Sequence, residues 1–318
     1  PTVDRLYGRR AAASLKRAGF RVQRVLTGDG ERFKTLRSAE QLYTFLIQHR
    51  IERTDIIVAL GGGIVGDLAG FVAATYLRGI KVIQVPTTLL AQIDSSVGGK
   101  TGVNHRLGKN LIGAFHQPAL VLIDPEVLAT LPGRELRSGL FEAIKYGVIK
   151  DKGLFERIGL QMSSLKAARV DEMMHLIVRS CEIKAEVVGQ DEREGGLRRI
   201  LNFGHTIGHA LEAVTVYRRF LHGEAVGYGM RGACRIAEMM GLFSSDEREC
   251  VEEVIKRAGR LPAANNLASR DIMTAMKLDK KVQAGSPVFV LPVEIGRVIV
   301  SSDVPLKTVR AAVNEIVA

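Results

Sequence analysis

The sequence predicts two domains, an α/β domain over residues 1–135 and an all-α domain over residues 136–318. Short apolar segments alternate with helical segments in the first part, which is typical of a parallel α/β sheet. A glycine-rich loop separates one such strand from a helix. After Pro132, apolar residues recur at helical spacing. The chain has 318 residues, which is enough for two domains of ordinary size.

The elements of the first domain follow from its apolar runs. Residues 55–60 predict a buried strand, and the glycine-rich loop follows that strand directly. A helix is predicted over residues 64–76. Further strands are predicted over residues 81–85 and 119–123, and each of them ends at turn residues that include proline.

The second domain is predicted to be helical because its apolar residues repeat with the period of an α-helix. A hairpin is predicted near its end, with strands at residues 288–291 and 298–300. The predicted helices lie near residues 134–150, 170–190, 204–214, 223–241, 246–259 and 304–317.

The composition of the chain disfavours two classes of function, nucleic-acid binding and membrane insertion. The formal net charge is +11, but the lysines and arginines are scattered and few aromatic residues lie between them. Nucleic-acid binding usually needs a basic patch with a recognisable reading element, so we favour an anionic small substrate. No apolar run reaches the roughly 20 residues of a membrane helix. The odd number of cysteines, three, fits reduced thiols in a cytoplasmic protein.

The glycine-rich loop has the spacing Gly61-x-Gly63-x-x-Gly66, after a strand and before a helix. Glycines there allow a pyrophosphate to approach the backbone, and a helix N-terminus favours its negative charge. The acidic residue expected about 20 positions later in the dinucleotide fingerprint is absent. An isolated motif of this kind is more often a tight strand–helix turn. Asp67 and the pair Thr87-Thr88 after the next strand favour nucleotide binding.

Candidate metal ligands lie in the second domain. Glu142, His205 and His222 offer one carboxylate and two imidazoles, the donor set of a catalytic zinc site with an open position. His209 lies four residues after His205, on the same helical face. A zinc protease motif needs glutamate directly after its first histidine, and Thr206 stands there. Spacing alone leaves a metal site and an ordinary histidine pair equally open.

A polar, glycine-rich segment over residues 94–102 predicts a phosphate-binding loop that presents amides and the ammonium of Lys100. Walker A needs glycine six residues before its lysine, and Asp94 stands there, so a P-loop NTPase is a poor interpretation.

Taken together, these motifs resemble the 3-dehydroquinate synthase family of sugar-phosphate cyclases. The resemblance spans nearly the whole chain, and its most specific part is the long run from Pro86 to Asn104. It implies an α/β N-terminal nucleotide-binding domain and an all-α C-terminal metal-binding domain. It also implies that the family's first strand and part of its adenosine pocket, together roughly 40 residues, precede Pro1. The matching segments cover residues 61–67, 73–79, 84–104, 139–147, 201–210 and 222–227.

The resemblance implies NAD and a zinc or cobalt ion as cofactors, and a homodimer in which Arg78 reaches into the partner's site. The implied metal ligands are Glu142, His205 and His222. The implied NAD contacts are Asp29, Gly30, Glu31, Lys34, Gly63, Gly66, Asp67, Thr87, Thr88, Lys100, Lys109, Val127 and Thr130. The implied catalytic and substrate contacts are Arg78, Asp94, Lys100, Asn110, Lys145, Lys184, Arg198, Asn202, His209 and the pair Lys280-Lys281.

The implied reaction belongs to the shikimate pathway of aromatic amino acid biosynthesis. A seven-carbon keto acid phosphate loses phosphate and closes to 3-dehydroquinate, while NAD is recycled within each turnover. Three alternatives stay open at this point: a metal-dependent polyol dehydrogenase, a sister cyclase acting on glucose 6-phosphate or sedoheptulose 7-phosphate, and a nucleotide-binding protein with a dead site. Arg198 precedes Asn202 by four residues and His205 by seven. All three would share one face if the helix of His205 extends backwards.

Overall fold

The computed structural model describes residues 1–277 and 287–318, which form two compact units, Pro1–Leu131 and Pro132–Ala318. The N-terminal unit begins with helices α1, Arg9–Arg17, and α2, Leu36–Gln48. Strand β1, Ile56–Gly61, follows, and helix α3, Gly63–Thr75, leads to strand β2, Lys81–Pro86. The predicted strand–loop–helix–strand order is therefore confirmed.

The sheet of this unit is parallel, as predicted. Its three strands have the order β1-β2-β5, where β5 is the short strand Leu120–Val121. Helix α3 covers one face of the sheet because its apolar residues, among them Leu68 and Val72, are buried together with Ala59 and Val82 of the strands. This packing places the carboxyl ends of β1 and β2 next to the first turn of α3.

The segment predicted to be a phosphate-binding loop is only partly a loop. Ala91–Ser95 forms one π-helical turn, and strand β3, Lys100–His105, begins within the predicted loop. It pairs antiparallel with β4, Gly108–Phe115. Two facing glycines permit this pairing, since a Cβ on Gly113 would lie 2.2 Å from the carbonyl oxygen of Thr101. The prediction missed this hairpin.

The C-terminal unit is largely helical, as predicted, and also contains the predicted hairpin. Among the described residues, no helix is long and apolar enough to cross a bilayer. The hairpin joins β6, Phe289–Glu294, to β7, Arg297–Ser301. The helices are α4 Gly133–Lys150, α5 Lys152–Lys166, α6 Val170–Gln190, α7 His205–Val214, α8 His222–Met239, α9 Ser245–Ala258, α10 Ser269–Lys277 and α11 Leu306–Val317.

Candidate active site

Close approach of α4 and α8 places His222 beside Glu142. Helix α8 starts at His222, and its second residue, Gly223, lies against α4. A Cβ at Gly223 would lie 1.9 Å from the carbonyl oxygen of Ser138. The N–H of Gly223 also donates to the Ser138 hydroxyl at 3.0 Å. Glu142 lies one helical turn after Ser138, so this contact positions the carboxylate next to the start of α8.

A second close approach joins α7 to α8. A Cβ at Gly229 would lie 1.7 Å from the carbonyl oxygen of Gly204, and one at Gly208 would lie 2.9 Å from that of Ala225. Gly204 itself has a φ of +78°, a left-handed conformation that favours glycine, and α7 begins directly after it at His205. These backbone contacts bring the rings of His205 and His222 to a centroid distance of 5.2 Å.

The candidate metal ligands meet in the C-terminal unit. One ligand atom from each of Glu142, His205 and His222 lies within 4.8 Å of the others. Glu142 Oε1 is 3.5 Å from Nε2 of His222 and 3.8 Å from Nε2 of His205. The Glu142 side chain is fully buried, which is costly for a carboxylate unless cations compensate its charge. This donor set fits a zinc or cobalt ion.

A buried lysine compensates the negative charge of Glu142. Lys145 Nζ lies 2.5 Å from Glu142 Oε2, three residues away on α4, and only 1% of the Lys145 side chain is exposed. Its Nζ also lies 4.8 Å from the centroid of the Tyr146 ring. The predicted catalytic lysine therefore contacts a predicted metal ligand directly.

Two more polar residues of α7 extend this cluster. The His209 ring stands edge-on to His205 at a centroid distance of 5.3 Å. Glu212 is buried, and His209, Glu212 and His222 together form a second group of close ligand atoms. Sequence reasoning missed Glu212. Its spacing of seven residues from His205 was the available signal, because residues i, i+4 and i+7 share a helix face.

An ion pair fixes the start of α8. Glu224 accepts hydrogen bonds from the N–H of Leu221 at 2.8 Å and from Nε and an Nη of Arg134, both at 2.7 Å. The hydrogen bond with Glu224 is the main reason why the pKa of Arg134 is raised. This bidentate contact ties the first turn of α8 to the first turn of α4.

In the N-terminal unit, several predicted cofactor residues form one polar network. Lys34 is buried and its ammonium contacts Asp67 and Asn110. Asn104 links the other members, since its amide oxygen accepts from the N–H of Asn110 at 2.9 Å and its amide N–H donates to Glu31 at 2.7 Å. Lys109 is farther away, 3.9 Å from Glu31. Asn104 is a member that the sequence prediction missed.

The glycine-rich loop packs tightly at the start of α3. A Cβ at Gly63 would lie 2.9 Å from the Ser95 hydroxyl, and one at Gly66 would lie 2.6 Å from the Gln84 amide oxygen. A side chain at either position would have to displace the Ser95 or the Gln84 side chain. The two glycines also put no side chain at the first and fourth residues of α3, which fits a phosphate group at a helix N-terminus.

Other predicted residues of this unit occupy different parts of it. Thr87 is buried, and the hydroxyl of Thr88 accepts from the N–H of Ala91 at 3.1 Å. Val127 and Thr130 are joined through Tyr7, whose hydroxyl lies 3.2 Å from the Val127 carbonyl oxygen and 2.5 Å from the Thr130 hydroxyl. Four others are more exposed: Asp29 and Gly30 on the surface, Asp94 half-buried in the π-helical turn, and Lys100 exposed at the start of β3. Gly30 has a φ of +100°.

Sequence comparison places these motifs in a family. Residues 24–138 match the family described as 3-dehydroquinate synthase N-terminal, and residues 139–282 match 3-dehydroquinate synthase C-terminal. A 3-dehydroquinate synthase of Gloeobacter violaceus is 55% identical over 316 residues, which cover 99% of this chain and 87% of that protein.

The chain belongs to the 3-dehydroquinate synthase family. Solved structures with a similar fold are less similar in sequence. ValA of Streptomyces hygroscopicus, a 2-epi-5-epi-valiolone synthase with NAD+ and Zn2+ bound, superimposes with a TM-score of 0.93 at 29% identity, covering 99% of this chain and 88% of ValA. A 2-deoxy-scyllo-inosose synthase complexed with carbaglucose-6-phosphate, NAD+ and Co2+ has a TM-score of 0.82 at 28% identity, covering 90% of this chain and 81% of that chain.

The expected helical face through Arg198, Asn202 and His205 is wrong. Leu197–Asn202 is a 3-10 helix, and the extended Phe203 and left-handed Gly204 separate it from α7. Arg198 is nonetheless buried, and its guanidinium donates to the carbonyl oxygen of Glu192.

The loop before this 3-10 helix contacts two of the predicted substrate residues. Asp191 accepts from the backbone N–H groups of Gly196, Arg198 and Gly195, and these bonds lower its pKa. Asn202 donates to Glu194 at 2.6 Å. Lys184 is buried on α6. The predicted Lys280 and Lys281 lie outside the described residues.

Arg78 lies on a strained, exposed turn. Leu77 and Arg78 have φ values of 49° and 66°, and Gly79 has one of 121°. Positive φ costs free energy for side-chain-bearing residues, so the surrounding structure must hold this turn. Arg53 contributes, because its guanidinium donates to the carbonyl oxygen of Leu77 at 2.9 and 3.2 Å.

Proposed function

We propose that the chain is a 3-dehydroquinate synthase, a lyase that converts 3-deoxy-D-arabino-heptulosonate 7-phosphate to 3-dehydroquinate and phosphate in the shikimate pathway. The observation that carries this proposal is the cluster of Glu142, His205 and His222 beside the buried Lys145, in a chain 55% identical over 316 residues to a 3-dehydroquinate synthase. The cluster shows that the chain can offer the ligands of a metal ion. Membership of the family indicates which reaction the site carries out.

A sister cyclase is the second candidate, because the solved structures reported above belong to other cyclases. Those proteins share only 29% and 28% of their residues with this chain. The much higher identity to the Gloeobacter protein favours 3-dehydroquinate synthase activity. A polyol dehydrogenase would not need the buried Lys145, Lys184 and Arg198, which suit an anionic substrate.

The proposed cofactors are NAD and a zinc or cobalt ion. When bound, NAD accepts and returns a hydride, and the metal ion acts as a Lewis acid at the substrate alcohol. Glu142, His205 and His222 would hold the ion. The NAD contacts of the resemblance would hold the nucleotide, with the first turn of α3 at its pyrophosphate. The network of Lys34 with Asp67 is proposed to orient those contacts.

The residues around the metal cluster have distinct proposed roles. Lys145 balances the buried charge of Glu142 and presents its ammonium to the substrate. His209 is half-buried next to His205 and can hold or move a proton, as imidazoles do near neutral pH. Burial of Glu142 excludes water from one side of the cluster, which strengthens the electrostatic interactions inside it.

The cations of the C-terminal unit are proposed to select the substrate. A guanidinium binds a planar carboxylate through two parallel hydrogen bonds, and a sugar phosphate that lacks the carboxylate cannot make this contact. Arg198 is the proposed carboxylate ligand, and its five N–H donors make the bond to Glu192 compatible with that role. Lys184 and Asn202 are proposed to bind the same substrate.

Phosphate release from two substrates tests this function. Metal-loaded protein with NAD is expected to release phosphate from 3-deoxy-D-arabino-heptulosonate 7-phosphate and to ignore sedoheptulose 7-phosphate, which lacks the carboxylate. Arg198→Lys keeps the positive charge but removes the bidentate fork, so it should lower kcat/KM for the keto acid by a factor that corresponds to at most about 2–5 kcal/mol of transition-state free energy. Arg199→Lys, one residue along the same 3-10 helix, is the matched control and should retain activity. Equal rates on both sugars would assign a sister activity.

Two broader properties are part of the proposal. A homodimer would give the exposed, strained turn of Arg78 a role, since such turns persist where function requires them. A cytoplasmic location agrees with the three cysteines, all within the described residues, which are joined by no disulfide. Sedimentation of the purified chain would measure the first property.

A further inference from the structure

We propose that Glu212 is a positioning residue for the metal site: its carboxylate fixes the tautomer and orientation of His222. The observation is a contact of 3.2 Å between Nδ1 of His222 and Oε2 of Glu212. Glu212 lies on α7 and His222 opens α8, so the contact joins the two helices that carry the histidine ligands. The inference rests on the proposed metal site and deepens it.

The chemistry of the contact determines which nitrogen binds metal. A carboxylate only accepts hydrogen bonds, so Nδ1 of His222 carries the proton and donates it to Glu212. The lone pair of the neutral ring is then on Nε2, the nitrogen that faces Glu142 at 3.5 Å. His205 follows the same pattern with a different acceptor. Its Nδ1 donates to the Phe203 carbonyl oxygen at 3.1 Å, and its Nε2 faces Glu142.

The two histidines differ in how much support they need. His205 is buried within the packed start of α7. By contrast, 32% of the His222 side chain is exposed at the first residue of α8, whereas only 4% of the Glu212 side chain is exposed. A buried carboxylate needs a hydrogen-bonding partner, and a partly exposed ring depends more on a partner that orients it, because packing holds it less. A charged acceptor also makes the imidazole a stronger ligand than a carbonyl acceptor does.

A second metal ion held by His209, Glu212 and His222 is the competing explanation, since their ligand atoms also lie within 4.8 Å of one another. A neutral imidazole offers one lone pair, so His222 could ligate two ions only as an imidazolate. The hydrogen bond to Glu212 uses the nitrogen that a second ion would require. The geometry therefore favours one ion and a positioning role for Glu212.

Metal titration separates these explanations. Co2+ is titrated into metal-free protein, and its visible spectrum and its affinity in competition with a chelator are measured. The wild type should bind one equivalent. Glu212→Gln keeps the shape of the side chain but removes its charge, and should weaken binding by about 10–100-fold and shift the Co2+ spectrum. Glu238→Gln is the control: Glu238, on α8, is ion-paired to Arg235 on the same helix and to Arg248 on α9, and its replacement should leave affinity and spectrum unchanged.

The outcomes distinguish this inference from the proposed function. Wild-type protein that binds no Co2+ would overturn the metal site itself. One equivalent with unchanged affinity and spectrum in Glu212→Gln would overturn only the positioning role. Two equivalents, one of them lost in Glu212→Gln, would make Glu212 a ligand of a second ion.

A measurement on the wild type covers the case in which Glu212→Gln does not fold. Imidazole 15N chemical shifts of labelled metal-free protein report which ring nitrogen carries the proton. The His222 signals are assigned from their absence in His222→Gln. Spectra are recorded at increasing pH until the ring is neutral. Protonation of Nδ1 is then expected, and a neutral ring protonated on Nε2 would overturn the proposal.

Discussion

Replacing Glu142 with glutamine should remove the metal ion and also destabilise the metal-free C-terminal unit. The second effect follows from the ion pair with Lys145, whose Nζ lies 2.5 Å from the carboxylate, with 1% of the lysine side chain and 0% of the glutamate side chain exposed. Removing one partner of a buried pair leaves the other charge uncompensated, which typically costs about 3–5 kcal/mol. A unit of this size loses about 2–4 °C of Tm per kcal/mol, so a decrease of about 6–20 °C is expected.

The loss of metal binding in Glu142→Gln is measured separately from the loss of the ion pair. A ligand that binds only the folded state raises stability with its concentration, by about 2.7 kcal/mol at 100 times its Kd. Zinc should therefore raise the Tm of the wild type and leave that of Glu142→Gln unchanged, because glutamine cannot supply the anionic oxygen. Differential scanning calorimetry with and without zinc, together with elemental analysis, gives both results.

A double mutant isolates the ion pair. Lys145→Met combined with Glu142→Gln replaces both charges, and the combined protein should be more stable than Glu142→Gln alone. Full zinc occupancy in Glu142→Gln would remove Glu142 from the ligand set. A metal-free Tm equal to that of the wild type would refute the reasoning about the buried charge.

Three further predictions test other parts of the molecule. NAD should be required in catalytic amounts and not consumed, so NADH accumulating in step with product, measured at 340 nm, would favour an ordinary dehydrogenase. Mixing Arg78→Ala with Lys100→Ala subunits should restore part of the activity if Arg78 acts across a dimer, whereas no gain after confirmed subunit exchange would count against it. Asp191→Asn should weaken the loop that holds the backbone of Arg198. Because the pKa of Asp191 is lowered in the folded protein, its contribution to stability is present above its unfolded pKa and is lost as pH falls through the folded value, so the variant and wild type should converge in acid melting curves.

Local patterns predicted most of the secondary structure. The strand–glycine loop–helix order and six of the C-terminal helices follow from periodicity and turn residues. Helix α5 was missed because Asp151 alone separates it from α4, acting as the C-cap of one helix and the N-cap of the next, where it accepts from the N–H of Leu154 at 2.9 Å. The β3–β4 hairpin was missed because its strands contain glycines, which usually mark loops.

The metal cluster could be predicted only in part. The resemblance supplied Glu142, His205 and His222, and the structure brings their ligand atoms together. Glu212 carries no such motif. Its contact with His222 depends on the packing of α7 against α8, which spacing within one helix does not reveal. The face assigned to Arg198 was wrong for a related reason, since a left-handed Gly204 stops the helix at His205.

Glycines in the C-terminal unit determine how the metal ligands are positioned relative to one another and to Glu212. His222 reaches Glu142 because Gly223 has no Cβ against Ser138, and it reaches Glu212 because Gly229 has none against Gly204. Any larger residue at Gly223 or Gly229 would have to displace backbone atoms, which side-chain rotation cannot relieve. Such a displacement would move the histidine relative to its carboxylate partners on both sides at once. The geometry of the candidate metal site therefore depends on helix packing as much as on the identity of its three ligands. The contact of His222 with Glu212 depends on the same packing.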